Sequence, residues 1–465
     1  MEKKRPFGMR DKLGYLFGDF GNDFSFIFAS SYLMVFYTKV LGISGFAVGM
    51  LFLLARVVDA FTDVTMGRIV DHMKPARDGR FRPWIRRMCI PVAVASTLMY
   101  ASFIQDWPES AKMIYVVITY LLWSSFCYTA INIPYGSMAS VISPDAGERA
   151  SLSTFRSLGA SLASLVIGVL VPLFIYETDE AGNQIVLPGR FFLTAVIFGV
   201  LAVVCYVLCY SLCVERVSLK SALPEKRKKR EGVGEILGSL VKNRPLLAVV
   251  CSALVLLLAT LLSQTMNNYL FLDYFKNAKA VSLLNLVSIG GMLLVAPFVS
   301  KITTEFGKKE AGAVGMLLAG IVYLIIFFLR IKRISVFMVL LFLGTLGVGL
   351  FNMITWAFIT DIIDYQELTT RRREDGTIYA VYSFARKLGQ ALAGGIGGFA
   401  LTAIGYISEA PAQTPEVADR IYSVATLVPG ICYLIIFLIL QFWYPLGKKE
   451  VEKNSAELRK QREEG

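Results

Sequence analysis

The feature that most limits what this chain can become is the recurrence of apolar runs about twenty residues long. A helix rising 1.5 Å per residue needs about that length to cross ~30 Å of hydrocarbon. About twelve such runs are legible, near 13–38, 46–70, 84–104, 113–142, 151–176, 191–214, 245–271, 279–302, 311–330, 334–363, 377–407 and 421–446. None shows the short alternation of barrel strands, so the spanning elements are helices. Hydrophobic residues make up 55% of the 465, and mean hydropathy is +0.58. A soluble enzyme of this length needs far more polar surface. The expected fold is an all-α membrane protein of about twelve transmembrane helices in two six-helix bundles.

The net charge of +12 invites a nucleic-acid partner, but the placement of the charge argues against one. Basic residues gather in alternate loops: Lys3 to Arg5, Lys74 to Arg87, Lys226 to Arg230, Arg371 to Arg373, and the Lys448–Lys449 tail. The opposite loops carry Glu177, Asp179, Glu180, Glu409, Glu416 and Asp419. This is the positive-inside pattern of an inner-membrane protein with both termini cytoplasmic. One loop, with Arg330, Lys332 and Arg333, runs against it. The first apolar run is too long for a cleavable signal and lacks a small-residue cleavage site. Cys205, Cys209 and Cys213 recur every four residues within an apolar run, which reads as helix packing by inert thiols.

The basic stretch 215–244 divides six spans from six. The expected organisation is an N-terminal bundle at 1–214, a cytoplasmic linker at 215–244, a C-terminal bundle at 245–446 and a tail at 447–465. A weak internal echo agrees with this. Gly67 to Asp71 lead into Asp78-Gly79-Arg80-Phe81-Arg82-Pro83-Trp84 in one half, and Pro297 and Lys301 into Phe306-Gly307-Lys308-Lys309 in the other. Two such halves around a central cavity are a secondary-transporter layout.

Ionisable residues inside a membrane are costly, so each is a functional candidate. Asp59 and Asp63 share one helix face, one turn apart. Their charges repel, so at least one holds a proton or shares a cation, and Arg56 alone cannot neutralise both. Either a coupling-ion site or a helix-locking salt bridge follows. Asp19 and Asp23 form a second such pair on the first span, beside Asn22. Asp19 fits the wetted end of the helix, whereas Asp23 lies deeper. Thr129 and Asn132 precede Pro134 on the fourth span, while Arg156 and the consecutive Arg386 and Lys387 supply cations. The glycine-rich stretch from Gly389 to Gly398 has no preceding strand and reads as close helix packing, not a nucleotide loop. His72 sits in a basic loop with no chemistry assigned.

Several ordered motifs resemble the glycoside–pentoside–hexuronide:cation symporters of the major facilitator superfamily. They are Phe20-Gly21-Asn22-Asp23-Phe24, Ala55-Arg56 through Asp63, Gly79 to Trp84, Asn132-Ile133-Pro134-Tyr135, Asp361 to Tyr365, and Tyr379 through Lys387. The resemblance implies a transporter and no enzyme. It implies Asp59 and Asp63 as cation ligands, with Thr129 as a neighbouring ligand and Thr62 where melibiose-transporting members have asparagine. They are metal ligands only if the coupling ion is Na⁺; no cofactor is expected besides H⁺ or Na⁺. Asp23, Arg156 and Lys387 match the sugar-site residues, and Asn22, Tyr128, Arg386, Asn352, Tyr382 and Ser383 complete the candidate substrate set. Asn132 stands where melibiose-transporting members have a second aspartate, and Gly136 and Asn352 where they have sugar-facing tryptophans.

The glucuronide-carrying members are closer, through Asn132 to Ser137, Ser383 to Ala391 and Gln413 to Val417. A uronate carboxylate needs a cation, and Arg156, Arg386 and Lys387 are available. The expected function is import of a glycoside or uronide, best a glucuronide, by cation symport through alternating access. The expected partners are that small solute and the lipid bilayer, the carrier working as a monomer. A pentoside, sulfosugar or lysolipid symporter, and a membrane enzyme acting on lipid-linked sugar, are the alternatives.

Overall fold

A computed structural model describes residues 5–73, 76–179, 184–216, 243–370, 378, 382, 385–386, 389–390, 395–408, 410 and 412–463. Its helices are α1 (Met9–Val35), α2 (Gly45–His72), α3 (Arg82–Leu98), α4 (Glu109–Leu121), α5 (Thr129–Ile142), α6 (Ala146–Ile175) and α7 (Pro188–Leu212). After residue 243 come α8 (Arg244–Tyr269), α9 (Val281–Phe306), α10 (Lys308–Leu329), α11 (Ile334–Thr370), α12 (Ile396–Ala403), α13 (Pro415–Leu438) and α14 (Lys448–Glu463). Their starts follow local chemistry. Ser44, Asp145, Asn243 and Thr414 each accept a hydrogen bond from a backbone N–H in the first turn they precede. Proline opens α7, α8 and α13, where its missing N–H costs nothing.

Ten helical stretches among the described residues are long and apolar enough to cross a membrane. α1 is not among the ten; its own sequence carries Asp11, Lys12, Asp19 and Asp23. The eleventh expected run, 377–407, lies partly outside the described residues. One element was not foreseen: a small antiparallel hairpin, β1 (Tyr176–Thr178) with β2 (Gln184–Val186), pairing Glu177 with Ile185. Among the described residues four π-helical turns extend helices, at Phe36–Val40, Leu122–Tyr128, Leu270–Tyr274 and Ile439–Trp443.

The chain divides into two compact units: Met1–Arg227 with Lys276–Ser282 and Leu401–Gln413, and Lys228–Phe275 with Leu283–Ala400 and Thr414–Gly465. In the first unit, α1 and α7 approach closely because small residues face each other. A Cβ added to Gly14 would lie 2.8 Å from Cys213 Sγ, one on Gly18 2.9 Å from Cys209 Sγ, and one on Gly21 2.8 Å from Cys205 Cβ. The cysteine stripe is therefore the counterpart of a glycine stripe, and membrane helices gain their association from such contact. Gly159 of α6 packs against the Leu16 carbonyl of α1 in the same way. Two short segments close this unit at another end: Ser282 Oγ donates to the Val169 carbonyl at 2.6 Å, and Lys39 Nζ lies 4.8 Å from the Tyr406 ring centroid.

The residues that open the expected linker are tied into this unit. The Glu215 carboxylate accepts from the backbone N–H groups of Arg80, Phe81 and Arg82, each at 2.8 Å, so it caps the start of α3. Gly79 stands at φ +124, where a Cβ would lie 2.5 Å from the Glu215 carboxyl carbon. Fully buried Asp11 meets Arg5 at 3.0 Å and Arg216 at 2.8 Å, while the Arg216 N–H donates to the Val141 carbonyl at 2.7 Å. Burial opposes the charge of nearby Asp78. The Tyr210 hydroxyl at 2.9 Å, a backbone bond, Arg86 and Arg82 nevertheless hold its carboxyl below the ordinary carboxylate range.

In the second unit α10 is the packed centre. A Cβ on Gly315 would lie 3.0 Å from the Gly347 carbonyl oxygen of α11, and one on Gly320 2.6 Å from Leu434 Cδ2 of α13. The glycine-rich stretch behaves alike where it is described, since a Cβ on Gly397 would lie 2.6 Å from Thr265 Cγ2. Arg330, a cation in the loop that breaks the positive-inside pattern, is met by Asp419 at 3.0 Å, so its charge does not stand alone. Lys308 Nζ and Asp361 Oδ1 are 2.6 Å apart, and the Lys448 N–H at the start of α14 donates to Glu310 Oε1 at 3.3 Å.

Candidate functional site

Two polar clusters in the first unit share one stretch of chain. The first gathers around Asp59 and Asp63 on α2. Asp59 is buried, and its Oδ1 accepts hydroxyl hydrogen bonds from Ser124 at 3.1 Å and Ser125 at 2.6 Å. Its Oδ2 lies 3.5 Å from Arg56 Nη1. One turn on, Asp63 Oδ1 accepts from Thr129 Oγ1 at 2.9 Å. Ser124 and Ser125 are consecutive, and in a regular helix their side chains would diverge by ~100°. They sit in the π-helical turn Leu122–Tyr128, whose wider winding brings both hydroxyls to one carboxylate. Thr62 is not brought to this cluster through its hydroxyl, which donates to the Asp59 carbonyl at 3.1 Å.

The second cluster begins three residues further along. Asn22 Nδ2 donates to the Tyr128 hydroxyl at 2.7 Å and to Asn132 Oδ1 at 3.4 Å, while Tyr206 OH donates to Asn22 Oδ1 at 3.2 Å. Asn22 is thus held from α5, α7 and the π turn together. Next to it, Asp23 is 8% exposed and accepts no hydrogen bond among the described residues. Asn132 likewise shows no acceptor for its own amide N–H groups among them.

Asp19 overturns the expectation of a wetted helix end. It is 5% exposed, and its Oδ1 is bonded to Arg156 Nε at 2.9 Å. Arg156 lies over the Tyr135 ring at 5.4 Å, and that ring stacks on Tyr15 at 4.7 Å. Tyr135 OH donates to the Tyr15 carbonyl at 2.6 Å, fixing the platform from below. Gly136, the position that lacks a tryptophan here, leaves space beside the guanidinium: a Cβ there would lie 3.7 Å from Nη1.

In the second unit a cavity of about 410 Å³ is lined by Asn352, Tyr382 and Arg386 with Thr260 and Thr355, and by Leu256 and Met292 on its apolar side. Arg386 lies 5.9 Å from the Tyr382 ring. The structure therefore gathers three of the expected substrate residues there. Lys387 and Ser383 lie outside the described residues. Ser124 and Ser125 were missed by sequence reasoning, and so was the Asp19–Arg156 pair. The only available signal was an i, i+4 aspartate pair beside a lone mid-helix arginine.

Membrane-length helices whose interior holds paired carboxylates, an ion-paired arginine and hydrogen-bonding groups left open define a polytopic membrane carrier. The sequence profile of a family described as MFS/sugar transport protein matches residues 14–448. The chain is 32% identical to the glucuronide carrier protein homolog of Escherichia coli K12, over 97% of this chain and 95% of that one. It is 30% identical to a Bacillus subtilis symporter, YjmB, with the same shares covered. In fold it resembles a bacterial homolog of the human lysosomal transporter Spinster, with a TM-score of 0.66 at 11% identity, over 97% of this chain and 99% of that one. The chain belongs to the MFS/sugar transport protein family of the major facilitator superfamily. It is a multi-pass inner-membrane transporter of about twelve helices and not an enzyme.

Proposed function

We propose that this transporter imports a glycoside or uronide, with a glucuronide as the leading solute, by symport with H⁺ or Na⁺. The observation that carries the reading is that residues 124–132 serve both clusters at once. Ser124, Ser125 and Thr129 hold Asp59 and Asp63, while Tyr128 and Asn132 hold Asn22 beside Asp23. An ion that rearranges the hydroxyls at one end of this segment acts on the amide and phenol at the other. Coupling needs such a shared element, and it acts reciprocally.

Asp59 and Asp63 take the coupling ion. A proton needs one of the carboxylates; Na⁺ needs both carboxylates and neutral oxygens, which Ser124, Ser125 and Thr129 supply. Asp23 accepts from sugar hydroxyls, Asn132 donates to them, and Arg156 in the same unit is the cation for a carboxylate substituent, while Arg386 keeps its expected place in the substrate set within the second unit. Lys387 keeps its expected place in the substrate set by resemblance alone. The two expected six-helix bundles alternate access to these groups, and one chain suffices.

Purified carrier in liposomes, loaded against labelled glucuronide with a proton or a sodium gradient imposed separately, tests the reading. Uptake above equilibrium under one gradient is expected. Gradient-independent behaviour toward glucuronides, galactosides and xylosides alike would overturn it, and a competition panel including sulfosugars ranks the solutes.

A further inference from the structure

We propose that Asp19 is the resident counter-ion of Arg156, holding it in the empty carrier and releasing it to an anionic substituent of the solute. This rests on the transport reading above and adds to it a residue that sets the charge preference. Four observations on the first unit converge.

The first is geometric. Arg156 spends one edge of its guanidinium on Asp19, through Nε at 2.9 Å, and its two Nη groups make no hydrogen bond among the described residues. A carboxylate or sulfonate binds a guanidinium edge through two parallel bonds, and the free edge offers that fork. The second is access. The Asp19 side chain is 7% exposed and that of Arg156 is 40% exposed, so one partner is sealed and the other faces open space.

The third is orientation. The Tyr135 ring beneath Arg156, braced by Tyr15, keeps the guanidinium plane in place whether or not Asp19 is bonded. The fourth is the local charge. Asp19, bonded to Arg156 and one helical turn from Asp23 on α1, already sets one carboxylate against the one guanidinium. An anionic solute therefore meets an arginine whose charge is already balanced, and it docks on the free Nη edge and takes the guanidinium over from Asp19. Asp19 is accordingly a positioning residue. It holds down affinity for anionic solutes, and it is present to reclaim the arginine and eject the solute.

The test compares two solutes that differ only in the charged group, nitrophenyl β-D-glucuronide and nitrophenyl β-D-glucoside, by counterflow in liposomes with full-length carrier. With Asp19→Asn, KM for the glucuronide is expected to fall about tenfold and its maximal rate to fall with it, because one screened unit charge no longer competes. KM for the glucoside stays within about twofold. Asp19→Glu restores the wild-type ratio, which separates a charge effect from a fold defect, and monodisperse elution checks that the variants fold. Equal shifts for both solutes, or a weaker glucuronide KM in Asp19→Asn, would sink the counter-ion role. If wild type carries neither solute, the transport reading falls and this inference with it.

Discussion

Replacing Asp63 by asparagine isolates the charge of the ion cluster from its shape. The Thr129 hydroxyl donates to Asp63 Oδ1 at 2.9 Å, and an asparagine carbonyl accepts the same bond. What changes is the sum: Arg56, Asp59 and Asp63 together carry one net negative charge, and Asp63→Asn makes that zero. A unit charge acting over ~4 Å at an effective dielectric of ~20 is worth up to about 4 kcal/mol. Half of that lowers ion occupancy by about thirtyfold. A tenfold ion gradient stores about 1.4 kcal/mol per ion, which sustains about tenfold accumulation in wild type. The variant is expected to equilibrate at about onefold while still exchanging labelled for unlabelled solute, because the Asn22–Asp23 cluster is untouched. Accumulation ratio and counterflow, measured in the same liposome preparation, read the two quantities. Tenfold accumulation by the variant would remove Asp63 from coupling.

Gly18→Val drives a branched side chain into Tyr135 and Cys209, so it should cost about 2–4 kcal/mol and lower the melting temperature of the purified carrier; an unchanged melting curve would mean that α1 and α7 do not meet closely. Glu215→Ala strips the acceptor from three consecutive N–H groups, and the stretch 78–82 is expected to become several-fold more sensitive to trypsin at Arg80. Wild-type cleavage rates would contradict that cap. Asp78 is held below its ordinary value in the fold, so its charge contributes stability above about pH 4 and loses it as pH falls through the folded value. Asp78→Asn should therefore be less stable than wild type at pH 7, by about 1 kcal/mol or less, and equal to it at strongly acid pH; a gap that persists in acid refutes the linkage.

The span lengths and the loop charges were legible because the bilayer imposes both directly on composition. Asp59 and Asp63 were legible for the same reason: nothing in hydrocarbon excuses two carboxylates one turn apart. The rest depended on partners distant in the chain. Asp19 was assigned to the wetted end from its depth along α1, and only Arg156, 137 residues away, shows that it is buried and paired. Ser124 and Ser125 carry no signal of their own, since a hydroxyl in a membrane helix usually bonds its own carbonyls, as Thr119 does to Tyr115 at 2.8 Å. The π turn that redirects them has no sequence signature. Thr62 shows the converse, a residue whose spacing suits the ion cluster but whose hydroxyl is spent on the backbone. Glu215 read as the first charge of a basic linker, whereas its three bonds place it in the cap of α3.

Two of the π turns fall at matching places in the two halves. The opening helix of each half, α1 and α8, ends in a five-residue π turn, at Phe36–Val40 and at Leu270–Tyr274. Such a likeness between the two halves fits the internal repeats from which many transporter folds are built. The side chains of the two halves differ. The second helix of the first half carries Arg56, Asp59 and Asp63, whereas α9, its counterpart, has no charged residue before Lys301. The likeness of the halves lies in the backbone, and the difference lies in the side chains.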